Sequence, residues 1–468
     1  MDRRDFLKAA GLAAASLLVS DGSASAGSKP ARPNIILCMT DDQGWGDVGY
    51  NGNKIIKTPV LDEMAASGLR FNRFYAAAPV CSPTRGSVMT GRHPNRFGCF
   101  APNYSIRPEE ITIAEVLRDA GYATGHFGKW HLGPVKADCP VNPGNSGFEQ
   151  WLSHDNFFEI DPPLTRNGAP PQTYKGESAE IIVKEALGFI EKALHDSRSF
   201  FVVVWFGSPH NPHVALPEDR ALYKDLPKAD QHYLGEITAV DRAMGMLRSG
   251  LADMKVGDDT LLWFCSDNGA TPIGSTGGLR GNKASLWEGG IRVPGIIEWA
   301  AKVRKPASTE IPCCTSDIYP TIIDILNLKV ANQVEPIDGI SLRPLIEGKM
   351  RQRPRPIAFW IYPAGGEGKN PSYIDRDLLK GTWRQFSNFR HPKPRTENFA
   401  GHAALIDNRY KLHRVGADLE LYDLVADAAE TKNLAGENPQ IVAKMKTALD
   451  AWQTSVEKSL AGQDYKAG

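Results

Sequence analysis

The sequence predicts an α/β protein, with a large, mostly parallel sheet sandwiched by helices and a smaller C-terminal α+β domain. Three observations point there. Short apolar runs rich in β-branched residues have the length of strands buried on both faces. Segments of helical period lie between them, as in successive βα units. After residue 348 the long apolar runs stop and charged, proline-rich sequence takes over.

In chain order, Asn34 to Thr40 is the first strand and Ala123 to Phe127 a weaker one. A helix from about Ser178 to Leu194 places Ile181, Ile182, Ala186, Phe189 and Ile190 on one face and feeds the strand Phe200 to Phe206. A second helix carries Leu234, Ile237, Val240, Met244 and Leu247 along one stripe and leads to the strand Thr260 to Cys265. These elements make a large domain over residues 32–348, ending just after Asp338-Gly339-Ile340-Ser341-Leu342. Beyond the charged stretch Arg351 to Pro356, residues 349–468 read as short strands (Ile357 to Ile361, His402 to Ile406, Tyr410 to His413, Leu419 to Leu424) and a closing helix with Ile441, Met445, Leu449 and Trp452 at helical spacing. A small antiparallel sheet with one packed helix is the expected outcome.

Length and charge agree with this division. A chain of 468 residues with 42% apolar content supports two domains. Lysine plus arginine equals aspartate plus glutamate at 54 each. That balance offers no electrostatic footprint for nucleic acid and no polybasic membrane patch.

Residues 1–26 have the order of a signal peptide. Asp2-Arg3-Arg4-Asp5-Phe6-Leu7-Lys8 precedes the apolar stretch Ala9 to Val19, and Ala24-Ser25-Ala26 is a fitting cleavage site. The paired arginines followed by Phe-Leu-Lys resemble the twin-arginine export signal. The expectation is a protein folded in the cytosol, passed to the twin-arginine machinery and released to the periplasm or beyond. The apolar stretch is short of the roughly 20 residues that span a bilayer, and no later segment is longer, so no stable membrane insertion is expected. The cysteines number seven, too few for a disulfide scaffold, and none forms a C-x-x-C pair. Cys38 and Cys265 lie in apolar runs and read as buried thiols; the odd count leaves at least one thiol unpaired, with Cys81 the candidate.

In open parallel sheets the ligand crevice lies beyond the carboxyl ends of the strands. Four runs end there in polar residues: Asp41-Asp42, Gly128-Lys129-Trp130-His131, Ser208-Pro209-His210 and Ser266-Asp267-Asn268-Gly269. Asp41, Asp42, Asp267 and Asn268 are hard oxygen donors, and such a set suits Ca2+ or Mg2+ rather than zinc or copper. In Cys81-Ser82-Pro83-Thr84-Arg85, Ser82 and Pro83 read as the N-cap and first residue of a helix that stops at Gly91. Cys81 is then expected at a helix N-terminus, where the dipole favours an anion and lowers a thiol pKa, with Arg85 one turn along and able to reach back. A thiolate nevertheless suits a hard cation poorly.

Cys81-Ser82-Pro83-Thr84-Arg85 resembles the C-x-P-x-R signature of the type I, formylglycine-dependent sulfatases of the alkaline phosphatase superfamily. Further segments are similar to those of the family, in its order: Thr40 to Asp47, Gly121-Tyr122 leading to Gly128 to Gly133, Ser266 to Gly269, Lys283 to Pro294 and Leu421 to Leu424. The general likeness is to arylsulfatases and N-acetylgalactosamine-6-sulfatases. It implies a large mixed, mostly parallel sheet and a chain that removes sulfate from a sulfated polysaccharide or oligosaccharide. It also implies that a formylglycine-generating enzyme oxidises Cys81 to an aldehyde, whose hydrate binds calcium, attacks sulfur and then expels sulfate. Carried over by position, Asp41, Asp42, Asp267 and Asn268 with the modified Cys81 match the calcium ligands, and Arg85 and Lys129 match the cations holding formylglycine and sulfate. His131 matches the base that helps expel sulfate, while His210 and Lys283 match the pair assisting the leaving oxygen. Asp427-Ala428-Ala429-Glu430 lacks the Pro-Gly often seen there, a structural position. His154, Asn156 and His213 lie where substrate contacts vary, and no role is assigned to them. The competing expectations are a phosphodiesterase or phosphonate hydrolase of the same superfamily, and a non-catalytic relative that binds sulfated glycans.

Overall fold

The computed structural model describes residues 32–363 and 399–465, so the predicted signal segment 1–26 lies outside the described residues. The α/β expectation holds. A ten-stranded sheet runs in the order Ala307–Thr309, Leu69–Phe71, Gly295–Glu298, Thr260–Ser266, Asn34–Thr40, Phe200–Trp205, Ala123–Lys129, Gln150–His154, Pro163–Arg166, Gln172–Thr173. Its five central strands, from Thr260–Ser266 to Gln150–His154, are mutually parallel. Antiparallel strands flank them on both sides.

All seven residues of Asn34–Thr40 are buried, because the strand is central and covered on both faces. Its side chains alternate. Ile35, Leu37 and Met39 join Phe201, Val203, Trp263, Val88 and Leu117 on one face. Ile36 and Cys38 join Val202, Val204, Phe264, Ile182 and Met244 on the other. The helices Ser178–His195 and Lys228–Asp253 cover the second face with the stripes predicted for them. Two details differ: Ile181 is only partly buried, with Val183 in the core beside Ile182, and Leu234 and Ile237 turn to a smaller cluster with Ile56 and Tyr223.

The C-terminal part forms a four-stranded antiparallel sheet in sequence order, Ile357–Trp360, His402–Ile406, Tyr410–Val415 and Asp418–Asp423. The helix Pro439–Leu460 packs Met445, Leu449 and Val456 against one face, with Ile441 and Trp452 at the margin. The other face, through Phe359, Ala404, Ile406 and Tyr422, meets Tyr75, Leu286 and Ile291. The described residues from Asn34 onward form one compact unit. Among them no helix is long and apolar enough to cross a membrane. All seven cysteines are buried and unpaired, Cys38 and Cys265 among them.

One helix is started from a distance. Thr58, at the N-cap of Pro59–Ser67, makes no side-chain capping bond. Instead Asp241 of the long helix accepts from the backbone N–H of Val60 at 3.0 Å and of Leu61 at 2.8 Å. Asp241 and Leu61 are buried while Val60 is half-buried, so loss of Asp241 would leave at least the Leu61 N–H without a partner. Asp241→Ala is expected to cost about 1–3 kcal/mol, read as a lower denaturation midpoint with unchanged cooperativity; an unchanged midpoint would refute this capping role.

Candidate active site

Strand register brings the polar ends to one level. Thr40 pairs with Ser266, Met39 with Trp205, Gly128 with Trp205, and Lys129 with His154. The next residues continue the ladder, Asp267 N–H donating to Thr40 O and Asp41 N–H to Ser208 O, each at 3.1 Å. Asp42 takes a left-handed conformation (φ 65°) and donates its N–H to Asp267 Oδ1 at 3.2 Å. Both aspartates of the first strand therefore meet Asp267 in one buried space.

The Cys81 helix differs from expectation at its start. It spans Cys81–Thr90 with Val80 as N-cap, so Ser82 lies inside the first turn and is not the cap. Proline is tolerated throughout that turn, where N–H groups lack intrahelical partners. Ser82 Oγ instead accepts from Asn103 N–H at 3.1 Å. Gly91 ends the helix at φ 72°, as predicted.

Around Cys81 the charged groups interlock. Its Sγ lies 3.4 Å from Asp41 Oδ1 and 3.5 Å from Lys283 Nζ. Arg85 Nη2 bonds Asp267 Oδ2 at 2.7 Å and Asp41 Oδ2 at 3.1 Å, its guanidinium 5.0 Å from the Trp205 ring centroid. Lys129 pairs with Asp41 Oδ2, and Lys283 with Asp42 Oδ1 at 2.6 Å. His210 Nε2 stands 3.8 Å from Asp42 Oδ2, its Nδ1–H donates to Asn211 O at 2.6 Å, and its ring stacks on Phe157. His131 Nε2 bonds Asn103 Oδ1 at 3.0 Å.

These contacts set the protonation states. Burial alone would raise Asp41, but Lys129, His210, Arg85 and Lys283 hold it well below the usual carboxylate range. Burial and the Asp41 charge raise Asp42, and push Asp267 up to about 6. The expected thiolate is overturned: burial and then Asp41 push the Cys81 thiol well up, outweighing Lys129 and Lys283. Burial lowers His210 to about 4 despite Asp41, and lowers His131 well below the usual histidine range with Lys129 and Arg85 adding to the effect.

The residue types fit a hard cation. One donor atom each from Asp41, Asp42, Cys81 and His210 lies within 4.8 Å of the others. Asp42 Oδ2 and Asn268 Oδ1 are buried with no hydrogen-bond partner, which is unusual for carboxylate and amide oxygens unless another ligand claims them. Asn268 meets Asp42 through its Nδ2 at 2.7 Å, and rotation of the amide exchanges its two ends.

The predicted set thus converges, with His131 reached through Asn103. That asparagine was not singled out in the sequence. It also accepts from Asn156 Nδ2 at 3.4 Å, while Asn156 N–H donates to His154 Nδ1 at 3.1 Å, so two residues of unassigned role join the His131 group. Asn103 ends no strand and sits in no motif, and only its φ of 70° marks it. Phe157 was missed for the same reason. His213 is engaged elsewhere, by Glu236 Oε2 at 3.3 Å and the Tyr233 ring.

Comparison with known proteins gives the family of the chain. The family model for sulfatases matches residues 33–328. The N-acetylgalactosamine-6-sulfatase of Sus scrofa is 31% identical over 377 residues, covering 72% of this chain and 70% of that protein. The ulvan-active sulfatase of Formosa agariphila is 30% identical over 343 residues, covering 68% and 66%. The solved structure of Ps i-CgsB in complex with k-i-k-neocarrahexaose superimposes with a TM-score of 0.76 at 26% identity, over 90% of this chain and 92% of that one. With a family model matching residues 33–328 and a relative 31% identical over 72% of the chain, the chain belongs to the sulfatase family and is a sulfuric ester hydrolase.

Proposed function

We propose that this enzyme removes sulfate from a sulfated carbohydrate, using a formylglycine formed at Cys81 beside a Ca2+ ion held by Asp41, Asp42, Asp267, Asn268 and residue 81. The observation that carries the reading is the setting of Cys81: its Sγ is within 3.5 Å of Asp41 Oδ1 and Lys283 Nζ, and within 4.8 Å of a carboxylate oxygen from each of Asp41 and Asp42. A thiol kept protonated by burial is a weak nucleophile and a poor ligand for calcium; an oxygen at that position serves as both. The hydrated aldehyde would supply one hydroxyl for attack on sulfur and a second for release of sulfate. The cation would neutralise the carboxylates and polarise a sulfuryl oxygen.

The chain's own residues account for the remaining work. Arg85, fixed by Asp41, Asp267 and the Trp205 face, and Lys129 bring positive charge where sulfuryl oxygens gather it. Lys283, kept charged despite burial by the carboxylates of Asp42, Asp41 and Asp267, faces the leaving oxygen with His210. Because His210 Nδ1–H is committed to Asn211 O, Nε2 is the atom that exchanges a proton. His131 Nε2–H is committed to Asn103 Oδ1, which leaves the lone pair of the neutral ring on Nδ1 for base duty.

The substrate class rests on relatives. An N-acetylgalactosamine-6-sulfatase, an ulvan-active sulfatase and a structure holding a neocarrahexaose all concern carbohydrates. Export through the twin-arginine route rests on the pattern of residues 1–26, and cell fractionation with and without Arg3 and Arg4 tests it.

Cys81→Ala is expected to lower turnover of sulfate esters by at least about 10³-fold, and the Cys81 peptide of active enzyme to carry the mass of an aldehyde; full activity with an unmodified thiol would refute the reading. Chelation by EGTA should lower both activity and the thermal midpoint, and Ca2+ should restore them better than Mg2+. At 100 times its Kd the ion should add about 2.7 kcal/mol of stability, whereas a midpoint indifferent to calcium would remove the metal from the proposal. A panel of defined sulfated saccharides, run beside aryl sulfates and aryl phosphate diesters, should show sulfate esters preferred; preference for the diester would favour a phosphodiesterase.

A further inference from the structure

We infer that Glu430, from the C-terminal part of the chain, is a positioning residue for Lys283, so that the small antiparallel sheet completes the catalytic centre. The inference rests on the reading of Lys283 as the cation at the leaving oxygen.

Lys283 sits in a loop with no regular structure, between residues 279 and 287. Its backbone is pinned on the active-site side, Lys283 N–H donating to Ala270 O at 2.8 Å and Ala284 N–H to Pro79 O at 2.9 Å. The loop closes on itself where Gly289 N–H donates to Arg280 O at 2.7 Å. There is no slack at that closure: a Cβ on Gly289 would come within 2.2 Å of Gly281 O, and one on Gly290 within 2.2 Å of Ser285 O. The position of Lys283 therefore depends on where the short helical turn Glu288–Ile291 and Arg280 are held.

Glu430 holds both ends. The turn lacks a side-chain cap from its own N-cap residue, Trp287. Glu430 Oε2 fills that place, accepting from Glu288 N–H at 2.7 Å. Its backbone carbonyl accepts from Arg280 Nη1 at 3.2 Å, and the Arg280 guanidinium lies 3.5 Å from the Trp287 ring centroid. The second carboxylate oxygen is anchored in the small sheet by Lys411 Nζ at 3.0 Å and His413 Nε2 at 2.7 Å, and His402 Nε2 meets His413 Nδ1 at 2.8 Å. Lys411 then returns to the turn through Glu288 Oε1 at 3.0 Å, and Tyr75, upstream of Cys81, donates to Glu288 Oε2 at 3.0 Å. Glu288, Lys411, His413 and Glu430 are all buried, so none of these bonds exchanges with water. Lys283 Nζ must in turn be within hydrogen-bonding reach of Asp42 Oδ1, at 2.6 Å, so a loop displaced by an ångström misplaces the ammonium.

The test is a double-mutant cycle between Glu430→Gln and Lys283→Ala, with kcat and KM measured on a sugar sulfate and on a nitroaryl sulfate whose leaving group needs little assistance. Glu430→Gln should lower kcat on the sugar sulfate by on the order of 10- to 100-fold, lower it less on the nitroaryl ester and leave KM nearly unchanged. In the Lys283→Ala background the same substitution should cost nothing further. An equal penalty in both backgrounds, or on both esters, would mean that Glu430 acts on the fold at large and overturns the inference. If Glu430→Gln does not fold, Tyr75→Phe, which removes one bond to Glu288 and a long one from Arg73, enters the same cycle with a smaller Lys283-dependent loss expected. Lys283→Ala with a wild-type rate would overturn the reading of Lys283 itself, and that failure is visible in the single variant before the cycle is closed.

Discussion

Asp41, Asp42 and Asp267 have to coexist where water does not reach. Each is at most 1% exposed, and two like charges about 4 Å apart repel by about 4 kcal/mol even at an effective dielectric of 20. The fold answers with Arg85, Lys129 and Lys283, and each comes from a different element: the helix Cys81–Thr90, a parallel strand and an irregular loop. The placement of those three elements is thus governed by a single electrostatic condition. The oxygens left over, Asp42 Oδ2 and Asn268 Oδ1, mark where the protein's own cations do not reach.

Buried charge recurs at the second sheet, where Lys411 stands between Glu288 and Glu430. Removing one member of such a group is costly because the others stay buried without a partner. Both clusters act on the same loop, one through the Lys283 side chain and one through its backbone frame. The division between a large α/β part and a small antiparallel part is therefore a division of topology, and the chemistry draws on both.

Most of the frame was readable from the sequence because its determinants are local. Asn34 to Thr40 reads as a doubly buried strand since every residue in it is buried, and the stripe of the helix Lys228–Asp253 follows its period. Asp41, His210 and Asp267 stood out because they end apolar runs, and Cys81 and Arg85 because of their motif. What escaped depends on distance in space. Asn103 meets His131 and Ser82 across a loop, and Glu430 meets Glu288 across more than a hundred residues. The start of the Cys81 helix was misjudged because Ser82-Pro83 is compatible with the first turn as well as with a cap. The Cys81 thiol was misjudged because a dipole argument is blind to how completely the site is sealed. The edge strands Gln172–Thr173 and Ala307–Thr309 are short and mostly exposed, and carry no apolar signal.

The strand order has a temporal side. Asn34–Thr40 precedes the other described strands in the chain yet occupies the middle of the sheet, and its two neighbours, Phe200–Trp205 and Thr260–Ser266, are synthesised much later. Until Trp205 is made this run, Asn34-Ile35-Ile36-Leu37-Cys38-Met39-Thr40, has both hydrogen-bonding edges open, and the edge taken by Thr260–Ser266 stays open longer still. Native pairing needs closure over more than 150 residues on each side, which is a slow, non-local event. The nascent chain therefore carries its most adhesive segment unprotected until the sheet's centre can close around it, and its dependence on chaperones should be greatest in that interval.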